Sequence, residues 1–261
     1  MYANYHTHTP RCMHAVGEER EYIEAAIKHK FSVLGFSDHV PQPYPDGVVS
    51  GIRMRMDQVE DYVSTLEKLK KEYQFDIDIK IGFETEYIPH YFDELMERLS
   101  DYPIDYLIQG QHFVDDEFSG FYSGTPTTSE EDLKQYVDLT VAGMRTGVFS
   151  YLAHPDLINY QGPTNIYKKH MRRICDAAKE MDMPLEVNML GFATGRHYPC
   201  DSFFQLAVAE GCRFIIGCDA HDPRQVIQPE QLTGFMDFIS YNRIQYSQDL
   251  KLRDIAKRPS N

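Results

Sequence analysis

The sequence predicts an α/β protein of the (β/α)-barrel kind, with a parallel sheet and crossover helices. Three observations carry this expectation. Seven short apolar runs alternate with amphipathic stretches at helical spacing. No Gly-rich phosphate fingerprint follows the first run, which argues against a dinucleotide fold. Histidines and acids gather where the apolar runs stop, and in a barrel those ends converge on the face that does the chemistry.

The elements follow in order. Tyr2–His8 reads as a strand, and Glu18–Lys30 as a helix with Ile23, Ala26 and Ile27 on one face. Phe31–Phe36 is a short apolar strand, and Gln42–Met56, rich in Pro and Gly, a loop. Asp57 is placed to cap a helix whose face is Val59, Tyr62, Val63, Leu66 and Leu69. Ile77–Phe83 alternates as a strand. Tyr91–Leu99 reads as a helix, and Ile104–Gln109 as a strand. The long loop Val114–Thr128, with Phe118, Phe121 and Tyr122, is a candidate lid or, equally, a contact between copies of the chain. Ser129 with Asp132 resembles a capping box, opening a helix through Met144. Phe149–Ala153 is a strand, Asn165–Met181 a helix, Leu185–Met189 a strand, Phe203–Glu210 a helix and Arg213–Gly217 a strand. Leu232–Tyr241 reads as helical, and the last residues as frayed. With no internal repeat and no splitting linker, one domain over residues 1–261 is expected.

The 261 residues carry 26 basic and 40 acidic side chains, a net charge of −14. That balance argues against nonspecific binding to nucleic acid or anionic membranes. It does not exclude a phosphate substrate, because bound cations reverse the field locally. The chain starts in a strand-like run without the n- and h-regions of a signal peptide, and no run is apolar for long enough to span a membrane. The five cysteines are scattered and form no C-x-x-C pair. A reduced, cytoplasmic protein is the expectation.

His6 and His8 are two apart on a strand, so both point to one side and suit chelation. His14 follows on the next loop. His39 ends the second run, and Glu84 emerges from the apolar run Ile79–Phe83, where an unpartnered carboxylate is costly. Glu86, on the same side by alternation, ranks behind it as support. His112 and His154 each follow a strand, and Asp219 and His221 are again two apart. Each residue singly has a bland explanation as a solvated loop side chain. Jointly, seven histidines and two acids at strand ends suit two or three ions, with water completing each shell. The remaining histidines, His29, His90, His170 and His197, fall away from strand ends. His29 and His170 read as helix-surface residues.

These residues resemble the polymerase-and-histidinol-phosphatase (PHP) family. The resemblance rests on Tyr5-His6-Thr7-His8, Phe36-Ser37-Asp38-His39, Gly82-Phe83-Glu84, Gln111-His112-Phe113, Ala153-His154-Pro155-Asp156 and Gly217-Cys218-Asp219-Ala220-His221. It implies a distorted (β/α)7 barrel with a trinuclear metal site at the C-terminal mouth of the strands. It puts His6, His8, Glu84 and Asp219 around one ion, His14, His39 and His221 around a second, and Glu84, His112 and His154 around a third, with Glu84 bridging. The metals of such a site are three divalent ions drawn from zinc, iron and manganese.

The stretch Glu84–Pro89, and Asn188–Phe192 leading to Arg196 and Tyr198-Pro199, resemble the histidinol-phosphatase branch. The implied activity is hydrolysis of L-histidinol phosphate to L-histidinol and inorganic phosphate, in histidine biosynthesis, by a metal-bridged hydroxide. Arg196 is expected to grip the phosphate, and Asp219 to take and pass on the proton, with His197 as a weaker candidate. A second phosphate-binding arginine is not obvious: Asn159-Tyr160-Gln161 stands in its region, with Lys168, Arg53 and Arg55 as substitutes. Substrate contacts are sought at Arg196, His197, Glu18 and Arg53, with Glu19, Glu86 and Tyr160 as further partners for the substrate's cationic groups. Glu18 has an alternative role at a helix N-terminus, and Arg53 in a solvated loop. Other readings are a PHP phosphoesterase acting on another monoester or a nucleotide, and a noncatalytic metal-binding module. The sequence does not decide the oligomeric state.

Overall fold

A computed structural model describes residues 2–45, 47–253 and 255. Seven strands form one parallel sheet in the order β1 (Tyr2–Asn4), β2 (Phe31–His39), β3 (Asp78–Thr85), β4 (Tyr106–Gln109), β7 (Phe149–Leu152), β8 (Leu185–Asn188) and β9 (Phe214–Gly217). Two further short strands, β5 (Phe113–Val114) and β6 (Phe121–Tyr122), pair antiparallel as a hairpin. The sheet nearly closes on itself. Thr7 bridges Ala220 in parallel, His8 N donates to Ala220 O at 2.9 Å, and Cys218 N donates to Asn4 Oδ1 at 2.9 Å. The first and last strands therefore meet beside the histidines that end them.

Helices α1 (Glu19–Lys28), α2 (Val59–Glu72), α3 (Pro89–Leu99), α4 (Glu130–Arg145), α5 (Thr164–Glu180), α6 (Met189–Ala193), α7 (Asp201–Ala209) and α8 (Phe235–Tyr241) complete the chain order. Their apolar stripes pack on the sheet in one large core that includes Ile23, Leu66, Leu95, Val137, Ile174 and Phe203. A second, smaller cluster comprises Ala3, Tyr5, Tyr106, Ile108, Tyr151, Ala153 and Ile215. Its members alternate along the strands with residues of the larger core, so the strands have two apolar sides, as a barrel requires. Tyr106 fills this inner space. Its hydroxyl donates to Tyr5 O at 2.7 Å, and its ring occupies the room left by Gly35 and Gly82.

Several local expectations change. Asp57 lies inside a 3-10 turn, Met56–Gln58, rather than capping α2. Ser129 caps α4 by accepting from Asp132 N at 3.2 Å, but Asp132 accepts from the Thr127 hydroxyl instead of closing the box. The loop Val114–Thr128 contains β6 and half of the hairpin. Met189 opens the short helix α6, because Asn188 ends β8 and its side chain accepts from Gly191 N at 2.8 Å. His170 is buried, not on the helix surface, and lies 2.9 Å from Glu130 Oε1. Most of the tail read as frayed lies outside the described residues. Among the described residues, no helix is long and apolar enough to cross a membrane.

Candidate metal centre

The strand ends bring all nine proposed ligands to one mouth. Glu84 lies at the centre, 2% exposed. Its two oxygens face different histidines. Oε1 lies 2.7 Å from His154 Nε2 and 3.5 Å from His112 Nε2. Oε2 lies 3.0 Å from His39 Nδ1, 3.5 Å from His6 Nε2 and 3.6 Å from His8 Nε2. Asp219 Oδ1 lies 3.1 Å from His8 Nε2 and 3.4 Å from His6 Nε2. His14, His39 and His221 bring their donor atoms within 4.8 Å of one another, as do His6, His8 and Asp219.

Backbone conformation aims two of these side chains. His154 has φ 27° and Asp219 φ 52°, a region that non-glycine residues occupy at a cost and that recurs at functional sites. The adjoining turn and barrel closure hold them there: Leu157 N donates to His154 O at 3.0 Å, and Ala220 N to His6 O at 3.2 Å.

Burial disfavours charge on every group in the mouth. At Glu84 it is outweighed by His112, His6, His39 and His154, which hold the carboxyl well below its ordinary range. At Asp219 burial is likewise outweighed, chiefly by His6 and His8. Burial also opposes protonation of His6, yet Glu186, Asp219 and Glu84 raise it well above the usual imidazole range. His221 goes the other way, pushed down to about 3 by burial and then by His8. Burial likewise lowers His39 and His112. Burial is outweighed at His8 and His154 as it is at His6, and both are raised. Carboxylates beside imidazoles are the donor types that transition metals take.

Unmet donors and acceptors test that fit. His6 Nε2, both ring nitrogens of His8, Glu84 Oε2 and His154 Nδ1 are buried and make no hydrogen bond among the described residues. So many orphaned atoms in one place are costly in a folded protein unless another group engages them. Divalent cations suit the position, and the residues present fit them.

An outer layer supports the donors. Glu186 Oε1 lies 2.7 Å from His6 Nδ1, and its Oε2 accepts from His154 N at 3.0 Å and from Asn188 Nδ2 at 2.9 Å. A carboxylate on Nδ1 leaves Nε2 to face Glu84 and Asp219. Asn188 Nδ2 also donates to Asp219 Oδ2 at 3.0 Å. Asp38, 3.5 Å from His8 Nδ1, accepts from the Thr9 hydroxyl. Glu86 Oε1 accepts from His112 N at 2.7 Å. Glu86 stands in the supporting position that its alternation with Glu84 predicts, whereas Glu186 is absent from the residues that the sequence singles out. Its signal was an acid alternating with Leu185 and Val187 on a strand.

Beside the donors opens a cavity of about 710 Å³, lined also by Arg196, Tyr198, Tyr122, Phe113 and Leu190. Arg196 makes no ion pair among the described residues. Its NH1 donates to the Tyr198 hydroxyl, and its guanidinium lies 5.7 Å from that ring's centre.

Three expected substrate contacts are corrected. Glu18 is exposed at the start of α1, with its backbone N–H donating to Glu21 Oε2 at 2.7 Å, and does not line the cavity. His197 turns away, its Nε2 2.6 Å from Leu157 O, into a separate pocket of about 180 Å³ that Tyr160 shares. Arg53 is 1% exposed and bound to Glu86 and Glu117, so its charge is already matched. The suggested substitutes do no better: Lys168 is exposed, and Arg55 pairs with Asp57 at 3.0 Å.

A model of the PHP domain matches residues 4–190. The chain belongs to the PHP family. Its relatives include a probable histidinol-phosphatase of Deinococcus radiodurans, 28% identical over 237 residues, covering 85% of this chain and 86% of the relative. A probable histidinol-phosphatase of Schizosaccharomyces pombe is 26% identical over 251 residues, covering 85% and 81%. The histidinol phosphate phosphatase of Lactococcus lactis, whose structure holds zinc, L-histidinol and phosphate, has the same fold. It superposes with a TM-score of 0.70 at 17% identity, over 99% of each chain. The distorted seven-stranded barrel expected of a PHP protein is therefore the fold observed.

Proposed function

We propose that this chain is a histidinol-phosphatase, hydrolysing L-histidinol phosphate to L-histidinol and inorganic phosphate. One observation carries the reading. A cation without an ion pair among the described residues, Arg196, lines the same cavity as the imidazole–carboxylate cluster. A structural metal site is closed and needs no anion-binding arginine. The near full-length relatives named as histidinol-phosphatases support the choice of substrate.

We assign the nine donors as the residues that would hold three divalent ions, with Glu84, whose two oxygens face different imidazoles, at their centre. Bound there, divalent ions supply Lewis acidity that activates water and neutralises phosphoryl oxygens. The chain's own residues do the rest. Arg196 offers charge-assisted hydrogen bonds to the nonbridging phosphoryl oxygens. Burial holds the Tyr198 hydroxyl well above its ordinary range, so it keeps its proton and is a hydrogen-bond donor beside Arg196. Asn188 fixes Asp219 through Oδ2, leaving Oδ1 toward the donors. Water's oxygen forms the new bond to phosphorus, the bond to the alcohol oxygen breaks, and that oxygen takes up a proton. Asp219 is our candidate to receive the water's proton and return it.

Phosphate release from L-histidinol phosphate, set against a panel of other monoesters and a model diester, tests the substrate. Metal analysis of the same samples tests the centre. Arg196→Met should lower kcat/KM by on the order of 100-fold, as loss of a preorganised charge-stabilising donor does, with metal content unchanged. Activity that survives the substitution would remove Arg196 as the phosphate clamp.

A further inference from the structure

Arg53 lies in a loop, yet it is 1% exposed, and the proposed chemistry does not use it. A buried guanidinium is costly unless it is paired and hydrogen bonded. Here it is paired twice. NH2 donates to Glu86 Oε2, and Nε donates to Glu117 Oε2 at 2.6 Å. NH1 lies 3.5 Å from Val40 O.

The two carboxylates belong to different parts of the mouth. Glu86 lies just past β3, two residues beyond Glu84, and its Oε1 accepts from His112 N at 2.7 Å and Phe113 N at 2.8 Å. Glu117 sits in the turn of the β5–β6 hairpin. That turn is organised by Asp116 Oδ1, which accepts from Phe118 N and Ser119 N, both at 2.8 Å. Phe118 meets the Tyr44 ring edge-on at 5.1 Å. At the hairpin's base, His112 O accepts from Ser123 N at 2.8 Å. Phe113 and Tyr122, opposite one another across the hairpin, both line the cavity.

We infer that Arg53 is a positioning residue that latches the hairpin to the barrel. Through Glu86 it fixes the backbone of His112. Through Glu117 it holds the hairpin turn, so that Phe113 and Tyr122 form a wall of the substrate cavity. Arginine suits the task because its planar fork reaches two carboxylates at once, whereas a lysine ammonium is a single point charge. The latch touches no reacting atom. A merely structural role would require only that the two buried acids be neutralised. A latch requires that they be joined.

The test compares Glu117→Gln, Arg53→Lys and Arg53→Met in zinc-reconstituted protein. Its kinetic part rests on the proposed function; hydrogen exchange and metal content do not. Glu117→Gln should raise exchange over residues 113–122 and raise KM for L-histidinol phosphate by on the order of tenfold, as loss of a coupled partner does. It should leave kcat and metal content near wild type, because the Glu86–His112 arm is intact. Arg53→Met should loosen the same segment and also lower metal content through His112. Arg53→Lys should restore metal content but not hairpin protection. Unchanged exchange and KM in Glu117→Gln would overturn the latch, as would loosening spread evenly over the barrel in Arg53→Met. If Arg53→Met fails to fold, Glu117→Gln still decides. If wild type does not hydrolyse L-histidinol phosphate, the proposed function fails while exchange and metal content still judge the latch.

Discussion

Glu186 shows how much a single side chain outside the candidate ligand set governs. It is fully buried, and it contacts His6 Nδ1, His154 N and Asn188 together. Each of those groups donates, so the site demands a residue that only accepts. Glu186→Gln keeps the shape but turns one oxygen into an NH2 that must face a donor. Zinc affinity should fall by about 10–100-fold, the range for losing an outer partner of a ligating histidine. Competition with a chromophoric chelator measures it; an unchanged affinity would mean that Glu186 does not orient His6. Glu84→Ala goes further, since both carboxylate oxygens face imidazoles. Metal and activity should be lost together, and full metal retention would remove Glu84 from the donor set. At this scale the candidate donors were legible because all but His14, which lies on the loop after the first strand, end or follow an apolar run. The corrected residues were not. Arg53 and His197 sit in loops, and a loop's local pattern does not say whether a charge meets solvent, substrate or a buried acid.

Strands and their glycines set the room in which the acids lie. A Cβ on Gly217 in β9 would come 1.8 Å from Glu186 Oε1, and one on Gly110, just past β4, would come 1.9 Å from Glu84 Oε1. Both positions therefore require the missing side chain. Gly217→Ala should cost about 1–3 kcal/mol by overpacking and push Glu186 off His6. A lowered Tm together with weakened zinc binding is expected, and a wild-type zinc affinity would show that Glu186 can shift without consequence. The strands themselves were readable from short apolar runs, and the helices from their 3.6-residue stripes. The short helix α6 and the hairpin were not. Both are too short for periodicity to register, and α6 depends on Asn188 leaving β8 to cap it.

For the whole molecule, the centre sits where the barrel closes. The same strand ends that join β1 to the segment after β9 carry His6, His8, Asp219 and His221. Metal that binds only the folded state adds stability by mass action, about 2.7 kcal/mol at a free concentration 100 times Kd. Removing it should lower Tm by several degrees, and zinc should restore it, as scanning calorimetry with and without a chelator would read. A Tm indifferent to metal would place the ions outside the folded core. The net charge of −14 does not oppose this, because Glu84 and Asp219 lie among imidazoles rather than facing open solvent.

By itself the sequence determined the chain's alternating strands and helices, the barrel class, and the set of imidazoles and carboxylates that its mouth presents. These are local properties: period, strand termination and side-chain chemistry are written in neighbouring residues. The tertiary structure alone decided which buried charges answer one another. His6 finds Glu186 across 180 positions, and Arg53 finds Glu117 across 64. A buried charge is satisfied by whatever the fold brings within about 3 Å, and no local pattern records that meeting.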